Sequence, residues 1–405
     1  YSRLATDEDF SAGVTKLNTE ILSGNVPDIF VTTDLPIAQY AAKGLLRDLY
    51  EFIDADKGGR ERFMTGVLKA METDGKLYSI APAFTLSTLV GKSSVVGEKP
   101  GWTLSELQEV IKAHPEAKYI LGQGMTRSFM LDTMLKYGLE RYVDWQKGEC
   151  SFNSQDFIDM LDFLKMFPEE FTYDDPGTGP YELMSDGRQL LLQYDLRDFV
   201  DYQTCIVSTK GEAVFKGYPT AEGVGNVLSY ADSPLCISTA CKAPEEAWRF
   251  ISSLLDEDSD EIEYFSGRAY DAAEAEAMKK ETYKDEETGE VKEWPRRTVG
   301  WGDFTVDIYA MTKEEAQALR ELINSTDRSA AYDKNVMNIV SEELQSFFSG
   351  AKSADPGPRR HLCERAEMKT SPQRELCGEF FSPDKLSHIR LEKPNSQQRR
   401  VTWFA

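Results

Sequence analysis

Histidine is nearly missing from this chain. His114, His361 and His388 are the only three in 405 residues, and the last two fall within the final fifty positions. Catalytic arrangements that need an imidazole base therefore have one candidate, His114 in "IKAHPEAK", and its place at a helix end before a proline favours a charge-complementing cap. No HExxH, GxSxG or Walker loop occurs. The six cysteines, Cys150, Cys205, Cys236, Cys241, Cys363 and Cys377, show neither CxxC spacing nor a pairing framework, so isolated buried thiols are expected. No run approaches the roughly 18 apolar residues of a membrane helix. Basic residues are outnumbered 46 to 69, and the formal charge of −23 disfavours nucleic acid and anionic membrane surfaces as partners. A neutral or cationic ligand fits better. No cofactor or metal is expected either: "DEDSDEI" from Asp256 begins like a calcium loop, but Glu261 stands where glycine belongs and Gly267 where glutamate belongs.

What is present suits a globular protein with one or two sizeable cores, with 41% hydrophobic and 11% aromatic residues. Strand-like apolar runs alternate with amphipathic helices as far as about Gly350, which implies an α/β architecture with largely parallel sheets. In "LNTEILSGNVPDIFVTTD", Leu17, Ile21 and Leu22 keep helical spacing, Gly24 and Asn25 stop the helix, and "IFV" reads as a buried strand. "TLSE" from Thr103 and "TKEE" from Thr312 have capping-box form, and "PEEAWRFISSLL" from Pro244 opens with proline and acids before its apolar stripe. Residues 356–405 differ in kind, with ten basic against six acidic residues and five prolines. They read as a disordered or non-native basic tail, and their net +4 leaves −27 for the body.

Ligands of open α/β sheets gather beyond the carboxyl ends of strands. Four stretches there set aromatics beside polar side chains, as sugar binding requires: "VTTD" from Val31, "PAFTLST" from Pro82, "LLQYDLRDF" from Leu191 and "VGWGDFTVDIY" from Val299. Core packing explains each aromatic singly about as well as a ligand does. The candidate ligand-binding residues are Thr33, Asp34, Phe84, Thr85, Thr126, Tyr194, Asp195, Trp301 and Asp303, with Thr32 beside the first two. The abundance of carboxylates also leaves a carbohydrate-active hydrolase open as an alternative, although nothing singles out two among 69 as an acid/base pair.

Read in order, several segments resemble an extracellular solute-binding protein of an ABC transporter, of the large type that mostly carries sugars. They are "LNTEILSGNVPDIFVTTDLPIAQYAAKGLLRDLYEFI", "DGKLYSIAPAF", "GWTLSELQEVIKAHP", "GYPTAEGVG" and "SPLCISTACKAPEEAWRFISSLL". The resemblance covers nearly all of residues 1–355. It implies a type II periplasmic-binding-protein fold of two α/β lobes, residues 1–88 with 232–275 and residues 89–231 with 276–355, joined by hinge crossovers near Leu86–Gly91, near Asn226–Ser233 and before Trp294. It also implies a monomer without enzymatic activity that holds a carbohydrate in the interlobe cleft and hands it to membrane permease subunits. Thr32, Thr33 and Asp34 would lie on the cleft rim, and Trp301 would stack on a sugar, with packing beneath the next helix as its other role. A peptide or another polar solute stays open as the ligand, since fold does not specify it. The family's first strand and helix are expected upstream of Tyr1, with any lipoprotein signal, so the expected location is the periplasm or the cell surface.

Overall fold

The computed structural model describes residues 7–33, 35–144, 147, 149–221, 224–230, 234–255, 264–266, 268, 270–301, 304–330 and 334–348. The calcium-like stretch from Asp256 and the basic tail lie outside them. In chain order the elements that matter are α1 (Asp7–Leu22), β1 (Ile29–Val31), α2 (Thr65–Met71), β2 (Ala83–Lys92), α3 (Leu104–Ala113), α4 (Arg127–Lys136), α5 (Gln155–Leu164), β3 (Leu191–Leu196), α6 (Phe199–Ser208), β4 (Ala213–Phe215), β5 (Val227–Tyr230), β6 (Leu235–Ile237), α7 (Pro244–Leu255), β7 (Phe265–Ser266), β8 (Thr282–Lys284), β9 (Val291–Glu293), β10 (Arg297–Trp301), β11 (Phe304–Ile308), α8 (Lys313–Asn324) and α9 (Lys334–Phe348).

Helix starts follow the sequence signals. Thr103 and Thr312 each accept a hydrogen bond from the backbone of the glutamate three residues on, and that glutamate reaches back to the cap N–H, closing both capping boxes. α7 starts at Pro244, as its acids and proline suggested. His114 caps the end of α3 and pairs with Glu116 at 2.9 Å.

β2 organises the molecule. Its "AFTLSTLVGK" is buried along nearly its whole length, since partners flank it on both edges. It pairs with β3 on one side (Ser87 opposite Asp195), with β5 and β4 on the other (Ser87 opposite Val227, Val90 opposite Phe215), and with β7 at its start. All of these ladders are antiparallel, against the expectation of largely parallel sheets. A chain that enters a sheet from another core and later returns through it runs both ways, and among the described residues parallel pairing is confined to bridges such as Tyr119–Gln189 and Leu228–Ser329. β1 and β6 form a separate antiparallel pair.

Alternation along β2 then divides its side chains between two cores. Phe84, Leu86 and Val90 join a first core with α2, α6, α7 and α8, while Leu89 joins a second with α3, α4, α5 and α9. β5 is shared likewise, Leu228 facing the first core and Val227 the second. A third passage lies at Thr326–Ala330, where the Leu228 N–H donates to the Arg328 carbonyl at 3.0 Å and the Ala330 N–H to the Leu228 carbonyl at 2.7 Å. The expected third crossover before Trp294 is thus displaced toward the C-terminus. Ala277, Met311, Ala316, Leu319 and Ile323, expected with the second lobe, pack in the first core instead. The hairpins β8–β9 and β10–β11 intervene before the chain crosses.

Close approach of α2 and α8 depends on Gly66: a Cβ there would stand 2.5 Å from the Asn324 Cα and 2.6 Å from the Ile323 carbonyl oxygen. The Gly66 N–H also donates to Asn324 Oδ1 at 3.1 Å. No helix among the described residues is long and apolar enough to cross a membrane.

Candidate functional site

Where β2, β3 and β5 lie side by side between the two cores, one sheet face turns polar. Ser87 Oγ donates to Asp195 Oδ1 at 2.5 Å and lies 3.2 Å from Ser229 Oγ. Thr85 and Gln193 follow on the same face by strand alternation. Ser87 and Thr85 are buried, Ser229 and Gln193 half-buried, and Asp195 exposed. α4 delivers Tyr137 to this face, its hydroxyl beside Ser87, Ser229 and Tyr218. The two tyrosine rings contact each other with centroids 4.5 Å apart. Burial, then the Asp195 charge, raises the Tyr137 hydroxyl above its ordinary value; Tyr218 is raised further, by burial first and then by Tyr137 and Asp195.

The Tyr218 hydroxyl is buried and has no hydrogen-bond partner among the described residues, although Tyr137 and Gln193 approach it, and Gln193 Oε1 is unsatisfied too. Buried polar atoms are rarely left so, and the pair is the point of this face with hydrogen-bonding capacity to spare. Beside it a cavity of about 230 Å³ is lined by Tyr137, Glu140, Arg141 and the third crossing at Asp327–Ser329. Burial raises the Glu140 carboxyl, although the residue as a whole is exposed, and the Arg328 charge opposes the rise. A second cavity, about 470 Å³, is lined by Asp156, Asp159 and Asp162 among others, but each is engaged, with Arg141, Gln155 and Lys165 in turn.

Of the residues expected from the sequence, the fold brings Thr85 and Asp195 together here. Phe84 is a correction: it is 2% exposed and stacks on Phe265 in the first core, because adjacent β2 residues must face opposite ways. Tyr194 parts from Asp195 for the same reason, its hydroxyl 2.6 Å from that of Tyr181 and donating to Asp201 at 2.9 Å. Thr126 caps α4, accepting from the Phe129 N–H at 3.3 Å. Thr33 is exposed just past β1, while Thr32 is buried and donates to the Pro234 carbonyl. Trp301 ends β10 with its backbone paired to Phe304. The Trp301 side chain, Asp34 and Asp303 lie outside the described residues. Ser87, Ser229, Tyr137 and Tyr218 are not among the residues expected from the sequence. Ser87 was within reach of the sequence, two places after Thr85 on one strand face, whereas the tyrosines are joined to it only by tertiary packing.

Among the described residues no cluster of side chains could hold a metal ion, and Cys205, Cys236 and Cys241 are buried free thiols. A carboxylate–serine–tyrosine face between two cores can hold hydroxyls; whether such a face belongs to an enzyme or a receptor is decided by kinship. Residues 5–291 match the family model of the bacterial extracellular solute-binding proteins.

The chain belongs to that family. It is thus a solute-binding protein and not an enzyme, which closes the hydrolase alternative. Among solved structures the solute-binding protein is similar to the sugar-binding protein MalE from Xanthomonas citri, at 15% identity over 91% of this chain and 90% of that one, with a TM-score of 0.55. It is also similar to a periplasmic oligogalacturonide binding protein from Yersinia enterocolitica, at 14% identity over 89% of each chain and a TM-score of 0.51. These likenesses establish a type II periplasmic-binding-protein fold of two α/β lobes joined by crossovers. No curated protein matches the sequence.

Proposed function

We propose that this solute-binding protein is the receptor of an ABC importer for a neutral carbohydrate, held between the lobes on the face formed by Thr85, Ser87, Asp195, Ser229, Tyr137 and Tyr218. The observation that carries the reading is the unsatisfied Tyr218 hydroxyl within a cluster of hydroxyls and one exposed carboxylate. Such a cluster both donates and accepts, as sugar hydroxyls require, and the cations of the adjoining cavity, Arg141 and Arg328, are already paired with Asp156 and Asp327. The net charge of −23 opposes an anionic ligand as well. The sugar-binding and oligogalacturonide-binding names of the two similar structures agree with a saccharide class. The same reading puts the lobe boundaries near Ser87, Leu228 and Arg328, and the three passages between the cores support it. Delivery to membrane permease subunits, as a monomer at the cell surface or in the periplasm, belongs to the same reading.

A thermal-shift screen across neutral sugars, oligogalacturonides, peptides and polyamines tests it. A ligand at 100 times its dissociation constant adds ~2.7 kcal/mol of stability, well within detection. Shifts with neutral sugars only, unchanged between low and physiological salt and lost in Asp195→Asn, are expected. A shift with peptides or polyamines and none with any sugar sinks the reading.

A further inference from the structure

A second surface, at the start of α4, carries features of a saccharide site that the cluster at Ser87 does not include. Residues 168–175 run alongside residues 123–127: the Arg127 N–H donates to the Pro168 carbonyl at 2.8 Å, the Phe171 ring lies on Gly124, and the Asp175 N–H donates to Gln123 Oε1 at 2.8 Å. The contact at Gly124 leaves no space for a side chain, since a Cβ would stand 2.3 Å from the ring, and Gly124 has φ +78°. Asp175 pins the far end. Its carboxylate accepts from Lys118 Nζ and the Tyr119 hydroxyl, each at 2.6 Å, and from Arg188 at 3.3 Å, while Gln123 Nε2 donates to the Asp175 carbonyl at 3.0 Å.

On this fixed segment two rings are left in solvent. Phe171 is 68% exposed and Tyr173 55%, with ring planes 10° from parallel and centroids 6.4 Å apart; Phe129, in the first turn of α4, is 47% exposed. A segment tied at both ends thus presents two near-parallel aromatic rings to solvent. The flanking residues Glu169, Glu170 and Asp174 are exposed carboxylates, which accept hydrogen bonds from hydroxyls and repel anions. The two rings together can bury at most about 500 Å², below the about 800 Å² per side of a stable protein interface. That area does match the apolar faces of one or two sugar rings.

We infer that Phe171 and Tyr173 form a stacking platform for distal rings of a neutral oligosaccharide, so that the protein favours longer chains over single sugars. The inference rests on the carbohydrate reading above.

Purified protein and a Phe171→Ala/Tyr173→Ala variant are titrated against an array of neutral glycans from one to eight units, with melting temperatures as the fold control. Wild type is expected to bind longer members of a series at least about 10-fold more tightly than the single sugar, judging from ring stacking on other platforms. The variant should lose that gain and bind the short members as wild type does. A Phe171→Trp/Tyr173→Trp variant should keep it. Equal length dependence in wild type and the alanine variant overturns the platform, as does wild-type binding that is indifferent to length; both leave the receptor reading standing. Binding to no glycan at all overturns both.

Discussion

Removing the Tyr218 hydroxyl should stabilise the ligand-free protein. The hydroxyl is buried, Tyr137 and Gln193 approach it without completing a hydrogen bond of good geometry, and Tyr218 is 4% exposed. Burying an unmatched hydroxyl costs about 1 to 3 kcal/mol, and Tyr218→Phe relieves that cost while keeping the ring against Tyr137 and the Trp102–Gly217 contact nearby. The void left by one oxygen takes back a fraction, less than the 0.5 to 1.5 kcal/mol of a deleted methylene. The net gain is about 1 kcal/mol, roughly a fivefold rise in the folded-to-unfolded ratio. Urea unfolding in sugar-free buffer reads it directly, as a higher midpoint at unchanged slope. With saturating ligand the order should narrow or invert, because only the wild type has a hydroxyl for the ligand network to satisfy. A variant less stable than wild type by 1 kcal/mol or more without ligand refutes this, since it shows that the hydroxyl already has a partner.

Gly66→Ala gains about 1 kcal/mol in helix propensity but drives a methyl into the α8 backbone, for which overpacking costs of about 1 to 3 kcal/mol or more are usual; a lower urea midpoint is expected, and a higher one shows that α2 can move away from α8. Glu140 has a raised carboxyl, so the native protein holds its proton more tightly than the unfolded chain does, and stability present below the ordinary value of 4.5 is lost as pH climbs through the native one. Glu140→Gln should therefore match wild type below that value and exceed it at pH 7, and equal stability at pH 7 rules this out. Asp201 is 8% exposed and accepts from the Arg197 backbone, the Arg197 guanidinium and the Tyr194 hydroxyl. Asp201→Ala should cost about 2 to 3 kcal/mol in calorimetric unfolding, and a loss under 0.5 kcal/mol shows that water replaces those bonds.

Local chemistry was the legible part of the fold. Thr103 with Glu106, Thr312 with Glu315 and Pro244 each specify a helix start through neighbours within one turn, and "IFV" specifies β1 in the same way. The course of residues 276–330 was not legible, because nothing within β8 to β11 states which core receives Met311 and Ile323. For the site, the readable rule is strand alternation. Phe84 with Thr85 and Tyr194 with Asp195 are neighbours on strands, so one member of each pair had to turn away. Tyr137 and Tyr218 stand 81 positions apart and meet only because both pack in the second core.

β2 has a consequence for how the protein comes apart. Leu86 and Val90 are fully buried in one core while Leu89, between them, is fully buried in the other. The strand cannot be withdrawn from either without emptying both, and Val227 and Leu228 repeat the arrangement on the next strand. Melting of the two lobes is thereby cooperative: a single calorimetric transition, and no protease-resistant fragment holding one lobe alone, since each half would expose the apolar edge that the shared strands cover in the whole.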